Sequence, residues 1–253
     1  MEIITLLSCL SSAIDYTTTR HLSNIAEAML AMTGRITMLG ISRWTERYGS
    51  YRTIQRFFYS QINWGKLRWS FTRRHLIEPE EVVVIAGDEV VVTKSGKNTY
   101  GLGRFFSSLY GKAVPSLGFL SLSLISIKQH RSYPIMMEPV IKEETKTEEP
   151  DFQVALSSKG KRGRPKGSRN NNRQPVKLSP YLLLVQTTLK SLLSLIGTDL
   201  SLVYFVFDGA FGNNDALPMV RQCDLHLISK LRFDSALYLP YVGEYCGRGR
   251  RQK

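Results

Sequence analysis

The sequence has few of the features that mark membrane, secreted or disulfide-stabilised proteins. It contains no uninterrupted run of about 18 apolar residues, so a transmembrane helix is not expected. Its first residues lack the basic stretch that opens a secretory signal peptide. The three cysteines (Cys9, Cys223 and Cys246) are odd in number and have no CxxC spacing. They argue against a disulfide framework and a zinc finger, and they indicate a reducing, cytoplasmic compartment.

Acidic residues are also scarce relative to basic ones. The 253 residues include 34 Lys and Arg against 21 Asp and Glu, a formal charge of +13 at pH 7. Such an excess indicates a polyanionic partner, either nucleic acid or an acidic membrane face. A hydrophobic content of 43% is ordinary for a globular core, and the length allows one large domain or two small ones. We therefore expect a cytosolic protein that faces nucleic acid.

Residues 1–78 combine helical periodicity with a basic and aromatic composition. From Arg35 to Arg74 there are nine Lys or Arg and one acid, with aromatic residues threaded among them. Cations suit phosphates and rings suit packing or stacking, so the composition fits a nucleic-acid-binding module. It fits equally well a small helical domain with an aromatic core and a solvated charged face. The candidate DNA contacts recur at helical intervals: Arg43, Arg47, Arg52 and Arg56.

From Glu81 the pattern changes to short β-branched and aromatic runs. Apolar residues alternate with Ser after Ser116, which is typical of a half-buried strand. Pro180 opens a helix that Gly197 closes. The resulting order of strands and helices predicts an α/β fold. Strands are predicted at 82–86, 90–93, 116–127, 201–208 and 225–231, and helices at 180–196 and about 214–222.

A segment from about residue 129 to residue 177 interrupts that order. It is first acidic and then basic, with eight cations and no acid from Lys159 to Lys177. Because this composition cannot build a core, we expect a disordered insertion. Within it, an Arg-Gly-Arg-Pro core is similar to an AT-hook, which lies extended in the minor groove of A·T-rich DNA. An unspecific basic linker is the alternative interpretation of these residues: Arg162, Gly163, Arg164 and Pro165.

Two apolar runs each end in an aspartate. The first runs from Glu81 to Asp88, and the second from Ser201 to Asp208, which Gly209 follows. Side by side in a sheet, two such strand ends could hold two carboxylates close enough to share Mg²⁺ or Mn²⁺, and such a site suits phosphodiester chemistry. A strand that ends in Asp is also often only a turn, and that interpretation stands for either segment alone.

With both aspartate blocks in this order, the chain resembles a bacterial insertion-sequence transposase of the IS4-like DDE group. The segment Ile85-Ala-Gly-Asp88 matches the first block and Phe205-Val-Phe-Asp208 the second, and the resemblance covers nearly the whole chain. It implies an α/β fold with a ribonuclease-H-like mixed sheet preceded by a small helical domain. Residues 1–78 would be the DNA-binding domain and residues 79–253 a partial catalytic domain. Asp88 and Asp208 would be catalytic residues that bind Mg²⁺ or Mn²⁺. The substrate would be DNA at the ends of the element. The resemblance also implies a homodimer and no association with a membrane.

One part of the family pattern has no counterpart. The third acid of the group is a Glu within the spacing Tyr, two residues, Arg, three residues, Glu, six residues, Lys, which does not occur between Asp208 and Lys253. Glu244 lies in a Gly-rich basic tail without helical character and is not assigned the role. We therefore expect a truncated or frameshifted transposase that binds DNA but cleaves it poorly. The alternatives are a non-catalytic DNA-binding regulator and a nuclease whose third acid is Asp215 or Asp224.

Overall fold

The computed structural model describes residues 3–45, 49–78, 80–96, 98–142, 177–209 and 215–231. Within these ranges a group of N-terminal helices precedes a mixed sheet of six strands. The helices are α1 (Ile3–Leu6), which continues into a 3-10 turn (Leu7–Ser12), α2 (Tyr16–Ala31), α3 (Met38–Trp44), α4 (Tyr51–Tyr59), α5 (Trp64–His75), α6 (Pro180–Ile196) and α7 (Ala216–Arg221). The strands are β1 (Val83–Thr93), β2 (Gly103–Ser107), β3 (Lys112–Ser126), β4 (Arg131–Val140), β5 (Tyr204–Phe207) and β6 (His226–Ser229).

Side-chain caps begin four of the N-terminal helices. In each case a side-chain oxygen accepts a hydrogen bond from a backbone N–H of the first turn, which satisfies a donor that has no partner within the helix. A small core then joins α2, α3 and α4, with Ile25, Ile41 and Phe57 among its buried members. The helical prediction for this part of the chain is confirmed. The capping residues are Asp15 for α2, Thr37 for α3, Ser50 for α4 and Asn63 for α5.

Helix α5 packs onto the sheet. Trp69 belongs to the same buried cluster as the sheet residues, and Leu76 and Ile77 pack against that cluster. The Nε of Arg68 donates a hydrogen bond of 2.7 Å to the carbonyl oxygen of Ile135 in β4. The helical region and the sheet therefore share one hydrophobic core through α5. The domain boundary at residue 78 stays a prediction.

The sheet has the strand order β2-β3-β1-β5-β6, with β4 paired to β3. Strand β1 is antiparallel to β3 and parallel to β5, and β5 is parallel to β6. Long β3 pairs along its first residues with β2 and along the rest with β4. A ribonuclease-H-like sheet requires this order of elements: antiparallel strands, then a helix, then a strand that leads to the second aspartate. The predicted fold class is confirmed.

One face of the sheet carries the main core. Helix α6 begins at the cap of Ser179 and at Pro180, and it buries a continuous apolar stripe against the sheet. The described helices that contribute buried residues to this core are α5, α6 and α7. On the opposite face the alternate side chains of β1 are half-buried or exposed, and Val90 is 41% exposed. We call this side the open face.

The structure corrects the prediction of two separate strands at 82–86 and 90–93. Strand β1 is continuous from Val83 to Thr93, so Asp88 lies in the middle of a strand rather than where the chain leaves it. Asp and Glu are poor strand formers, and Asp88 and Glu89 therefore interrupt the pattern in the sequence. Pairing with β3 along the whole of β1 overrides this local preference.

The structure also corrects the start of the insertion. Strand β4 occupies Arg131–Val140, within the segment predicted to be disordered from about residue 129. Pro134 and Pro139 obscure the strand in the sequence. Among the described strands β4 pairs with β3 alone, and a proline nitrogen that faces the other side of β4 costs no ladder hydrogen bond. Ile135 between them is fully buried. Residues 143–176, with the hook-like Arg162, Gly163, Arg164 and Pro165, lie outside the described residues.

Candidate active site

The parallel pairing of β1 with β5 sets Asp88 level with Asp208. Ile85 pairs with Phe205, and the next residue of each strand pairs likewise. Continuing this register by two residues along both chains brings the two aspartates side by side. Neighbouring strands lie about 4.8 Å apart, so one cation can reach both carboxylates.

Both aspartates belong to the open face. Ile85, Phe205 and Phe207 are buried in the main core, and side chains alternate between the two faces of a strand. Gly87 is on the core face, where a Cβ would lie 2.9 Å from the ring of Phe205 and 3.1 Å from that of Phe207. Asp88 follows Gly87, and Asp208 follows Phe207. Both carboxylates are therefore on the opposite side, and both residues are exposed.

Neither carboxylate is neutralised by a cation in the described part of the chain. Asp88 Oδ1 accepts a hydrogen bond of 2.8 Å from the N–H of Glu89, and Asp208 Oδ1 accepts one from the N–H of Gly209. The ion pairs among the described residues lie elsewhere, at Arg73–Asp199 and Lys128–Glu78. Exposed carboxylate oxygens thus remain on both aspartates for a cation from solution.

Two polar residues that the sequence analysis missed extend this row across the sheet. Ser121 of β3 pairs directly with Asp88. Phe207 pairs with Ser229, so the next positions set Lys230 level with Asp208, and the backbone of Lys230 lies close to Gly209. The row across the open face therefore reads Ser121, Asp88, Asp208, Lys230. The alternation of residues 225–231 could have marked Lys230, but only strand pairing brings it to Asp208.

The direction of the Lys230 side chain follows from a ring contact farther back along β6. His226 pairs with Tyr204, and their rings lie 6.0 Å apart, centroid to centroid. Tyr204 is exposed and alternates with the buried Phe205, so this contact is on the open face. Lys230 is four residues beyond His226 and shares its face, because the side-chain period of a strand is two.

Helix α6 contacts the site through Tyr181 in its first turn. Burial raises the pKa of the Tyr181 phenol, and the charges of Glu89 and Asp88 and a hydrogen bond to Glu89 raise it further. This places the phenol beside the residue that follows Asp88. The start of α6 is therefore tied to β1 at the candidate active site.

The donor set fits a hard divalent cation. Carboxylate oxygens from adjacent strands, with the hydroxyl of Ser121 beside them, are ligands of the type that Mg²⁺ and Mn²⁺ prefer. Within the described ranges, no group of three or more His, Cys, Asp or Glu is arranged to hold a metal ion. The described residues therefore supply a two-carboxylate platform and not a complete set of protein ligands.

The two alternative third acids occupy different places. Asp224 precedes β6, whose first residue pairs with Tyr204, so it lies at the amino ends of β5 and β6. Asp208 is at the carboxyl end of β5, roughly 13 Å away along a four-residue strand. Asp215 opens α7, the helix that returns from the carboxyl end of β5 to the start of β6. Strand pairing therefore sets Asp224 apart from Asp208.

Three of the four candidate arginines of the helical region are described and exposed. Arg52 and Arg56 are one turn apart on α4, and Arg43 is in the last turn of α3, which contacts α4. Ile54 and Phe57 face the small core instead. Arg47 lies outside the described residues.

A mixed sheet of this topology with two carboxylates on adjacent strands defines a nuclease-like α/β domain. Residues 6–253 match the model of the family described as DDE superfamily endonuclease. The match spans nearly the whole chain, which therefore belongs to the DDE superfamily endonucleases. Members of this family act on DNA and generally use divalent metal ions. No curated protein matches the chain significantly. None of the described helices has the length and hydropathy of a membrane span.

Proposed function

We propose that the chain is the transposase of an insertion sequence of the IS4-like DDE group, acting on DNA at the element's ends in the cytoplasm. The observation that carries this proposal is the parallel register of β1 and β5, which, continued by two residues, brings Asp88 level with Asp208 on the open face. The family match supports phosphodiester chemistry on DNA. By analogy with the family alone, we propose that the active unit is a homodimer.

We propose a role for each side chain in this row of polar residues. Asp88 and Asp208 hold the cation from two strands that the sheet keeps in fixed register, so their separation does not depend on a loop. When bound, Mg²⁺ or Mn²⁺ supplies Lewis acidity toward the phosphate and lowers the pKa of a coordinated water. Lys230 donates to a non-bridging phosphate oxygen at the end of the row. Ser121, which pairs with Asp88 in the sheet, places a hydroxyl group beside it.

We propose that DNA reaches this row from the open face while other parts of the chain hold the duplex. The exposed Arg43, Arg52 and Arg56 are candidate phosphate contacts of the helical region. The hook-like residues 162–165, which lie outside the described ranges, are proposed to bind the minor groove of A·T-rich DNA.

Because the described site has two acids and not three, we expect the 253-residue chain to bind DNA but to cleave it poorly. A non-catalytic DNA-binding regulator derived from a transposase is the second candidate function. The same observation favours it, together with the exposed arginines of α3 and α4.

Manganese binding tests the site independently of cleavage. Titration of the chain with Mn²⁺, followed by electron paramagnetic resonance, is expected to show a site that Asp88→Asn and Asp208→Asn each weaken at least about tenfold. Asp224→Asn is the matched control, because this exposed aspartate is at the other end of β6 and asparagine tolerates its positive φ of 57°. Unchanged Mn²⁺ affinity in both site variants would refute the metal site.

Nicking of supercoiled plasmid in Mg²⁺ or Mn²⁺ then separates the two candidate functions. A regulator leaves the plasmid intact, whereas a transposase with an incomplete site nicks it slowly and loses that activity in Asp88→Asn. Rapid nicking that Asp88→Asn abolishes would contradict the expectation of poor cleavage.

A further inference from the structure

A polar groove runs between α5 and α6, on the side of α6 that does not face the sheet. It consists of two adjoining depressions, of about 650 Å³ and about 550 Å³, which meet at Leu195. One wall comes from the helical region and the other from the core of the α/β domain. Because α5 and α6 pack against a shared hydrophobic core, the two walls are held together.

The α5 wall presents a basic stripe. Lys66, Ser70, Arg73 and Arg74 recur at spacings of about one helical turn and line the groove. The charged residues of this set are exposed, whereas Leu67 and Thr72 on the other side of the helix are buried. The basic residues therefore lie together on the exposed face of α5.

The α6 wall adds a cation and several hydroxyl groups. Thr187, Lys190, Ser191 and Ser194 are all exposed and line the second depression. They follow one another at helical spacing, opposite the stripe that packs on the sheet. Hydroxyl and amide donors beside cations are the usual partners of phosphate oxygens in protein–DNA interfaces.

Among the described residues that line the groove, basic side chains outnumber acidic ones. Its one described acid, Asp199, pairs with Arg73 at 2.6 Å. Lys66, Arg74 and Lys190 take part in no ion pair among the described residues. Their charges are therefore left for an anionic partner.

We propose that this α5–α6 groove is a second DNA-binding surface, which holds the phosphate backbone of duplex DNA. The proposal rests on the proposed action on DNA and adds a surface separate from α3 and α4. The groove lies on the side of α6 away from the sheet, whereas Asp88 and Asp208 lie on the open face, so it would contact a stretch of duplex outside the active site. Contacts to the phosphate backbone in the groove do not depend on base sequence.

The experiment measures binding of the full 253-residue chain to a 30-base-pair duplex by fluorescence anisotropy across a range of salt concentrations. The test variant carries Lys66→Gln, Arg74→Gln and Lys190→Gln together. The matched control carries Lys112→Gln, Arg131→Gln and Arg221→Gln, which removes three exposed cations outside the groove. Circular dichroism of each variant checks that the fold is retained.

We expect the groove variant to bind at least about tenfold more weakly and to lower the slope of log K against log salt by about 2 to 3, since each lost phosphate contact lowers it by about 0.9. The control is expected to change the slope by less than about 1. Equal affinity and slope in the two variants would overturn the proposal. So would equal competition for the groove by polyglutamate at matched charge, because that would indicate an acidic polypeptide partner.

Failure of this proposal is distinguishable from failure of the proposed function. Mn²⁺ binding at Asp88 and Asp208 does not involve the groove residues. If Asp88→Asn loses Mn²⁺ while the groove variant binds DNA like its control, the active site stands and the groove is refuted. If wild-type chain binds no duplex at all, the groove proposal is refuted as well.

Discussion

The phenol of Tyr181 lies beside Glu89, the residue directly after Asp88 in β1, and the charge of Glu89 adds to burial in raising its pKa. The first turn of α6 is thereby tied to the strand that carries one of the two site aspartates. Because Glu89 is on the core face and Asp88 on the open face, the contact acts on the strand backbone and not on the carboxylate. We interpret Tyr181 as a positioning residue for β1.

Replacement of Tyr181 by Phe is expected to cost about 1 kcal/mol in the free energy of unfolding, because the polar contact of the partly buried hydroxyl with Glu89 is lost. It should also weaken Mn²⁺ binding a few-fold through a looser β1. Urea unfolding and Mn²⁺ titration measure the two effects. Tyr204→Phe is the control, since that tyrosine is exposed on the open face. Identical Mn²⁺ affinity in Tyr181→Phe and wild type would contradict the positioning role.

Alkaline pH is expected to weaken the fold through the same tyrosine. The pKa of Tyr181 is raised in the folded state, chiefly by burial, so the folded chain binds this proton more tightly than the unfolded chain. Its contribution to stability is therefore complete below the ordinary tyrosine value of about 10 and declines as pH rises above it. Absorbance titration near 295 nm should show one late tyrosine in the wild type. Tyr181→Phe should lack this late component. If the wild-type curve shows no tyrosine that titrates later than the others, the expectation is contradicted.

Gly87→Ala is expected to destabilise the sheet by about 1 to 3 kcal/mol, because a new methyl group would overlap the rings of Phe205 and Phe207. These rings belong to β5, so the substitution should also disturb the pairing of β1 with β5 that brings Asp88 level with Asp208. Chemical denaturation measures the stability. Ala86→Val, one residue away on the open face, is the control and should cost less than about 0.5 kcal/mol. Equal stability of the two variants would show that the close approach at Gly87 is unimportant.

Lys230→Gln is expected to weaken binding of DNA in the presence of Mn²⁺ and to lower the salt slope by about 0.9, the effect of one lost phosphate contact. Affinity for Mn²⁺ itself should not fall, because the variant removes a positive charge near Asp208. Lys230→Arg should retain DNA binding. A loss of Mn²⁺ binding in Lys230→Gln would instead indicate that Lys230 supports the fold of the site.

Leu189→Ala is expected to cost about 2 to 5 kcal/mol, because Leu189 is fully buried between α6 and the sheet and its removal leaves a cavity. Leu183→Ala on the same helix should cost less than about 1 kcal/mol, since Leu183 is 49% exposed. Thermal or urea unfolding compares the two. Similar losses in both variants would mean that α6 does not bury the face described above.

Much of the secondary structure follows from local patterns in the sequence. Pro180 and Gly197 bound α6 because proline suits the first helical position and Gly197 adopts a positive φ of 58° at the helix end. The aspartate after β5 could also be located, since an apolar run with β-strand propensity ends there. Strand β4 was missed because its two prolines look like turn residues, and only its edge position accommodates them.

The sequence by itself determined the basic character of the chain, the helical start, the α/β order and the two aspartate blocks, because composition and periodicity are local properties. Tertiary structure alone decided that β1 is one strand, that Asp88 and Asp208 are level on one face, and that Lys230 and Ser121 lie beside them. It also brought α5 and α6 together as the walls of a groove. The physical reason is that strand register and helix packing depend on contacts between residues far apart in the chain, which no local pattern encodes.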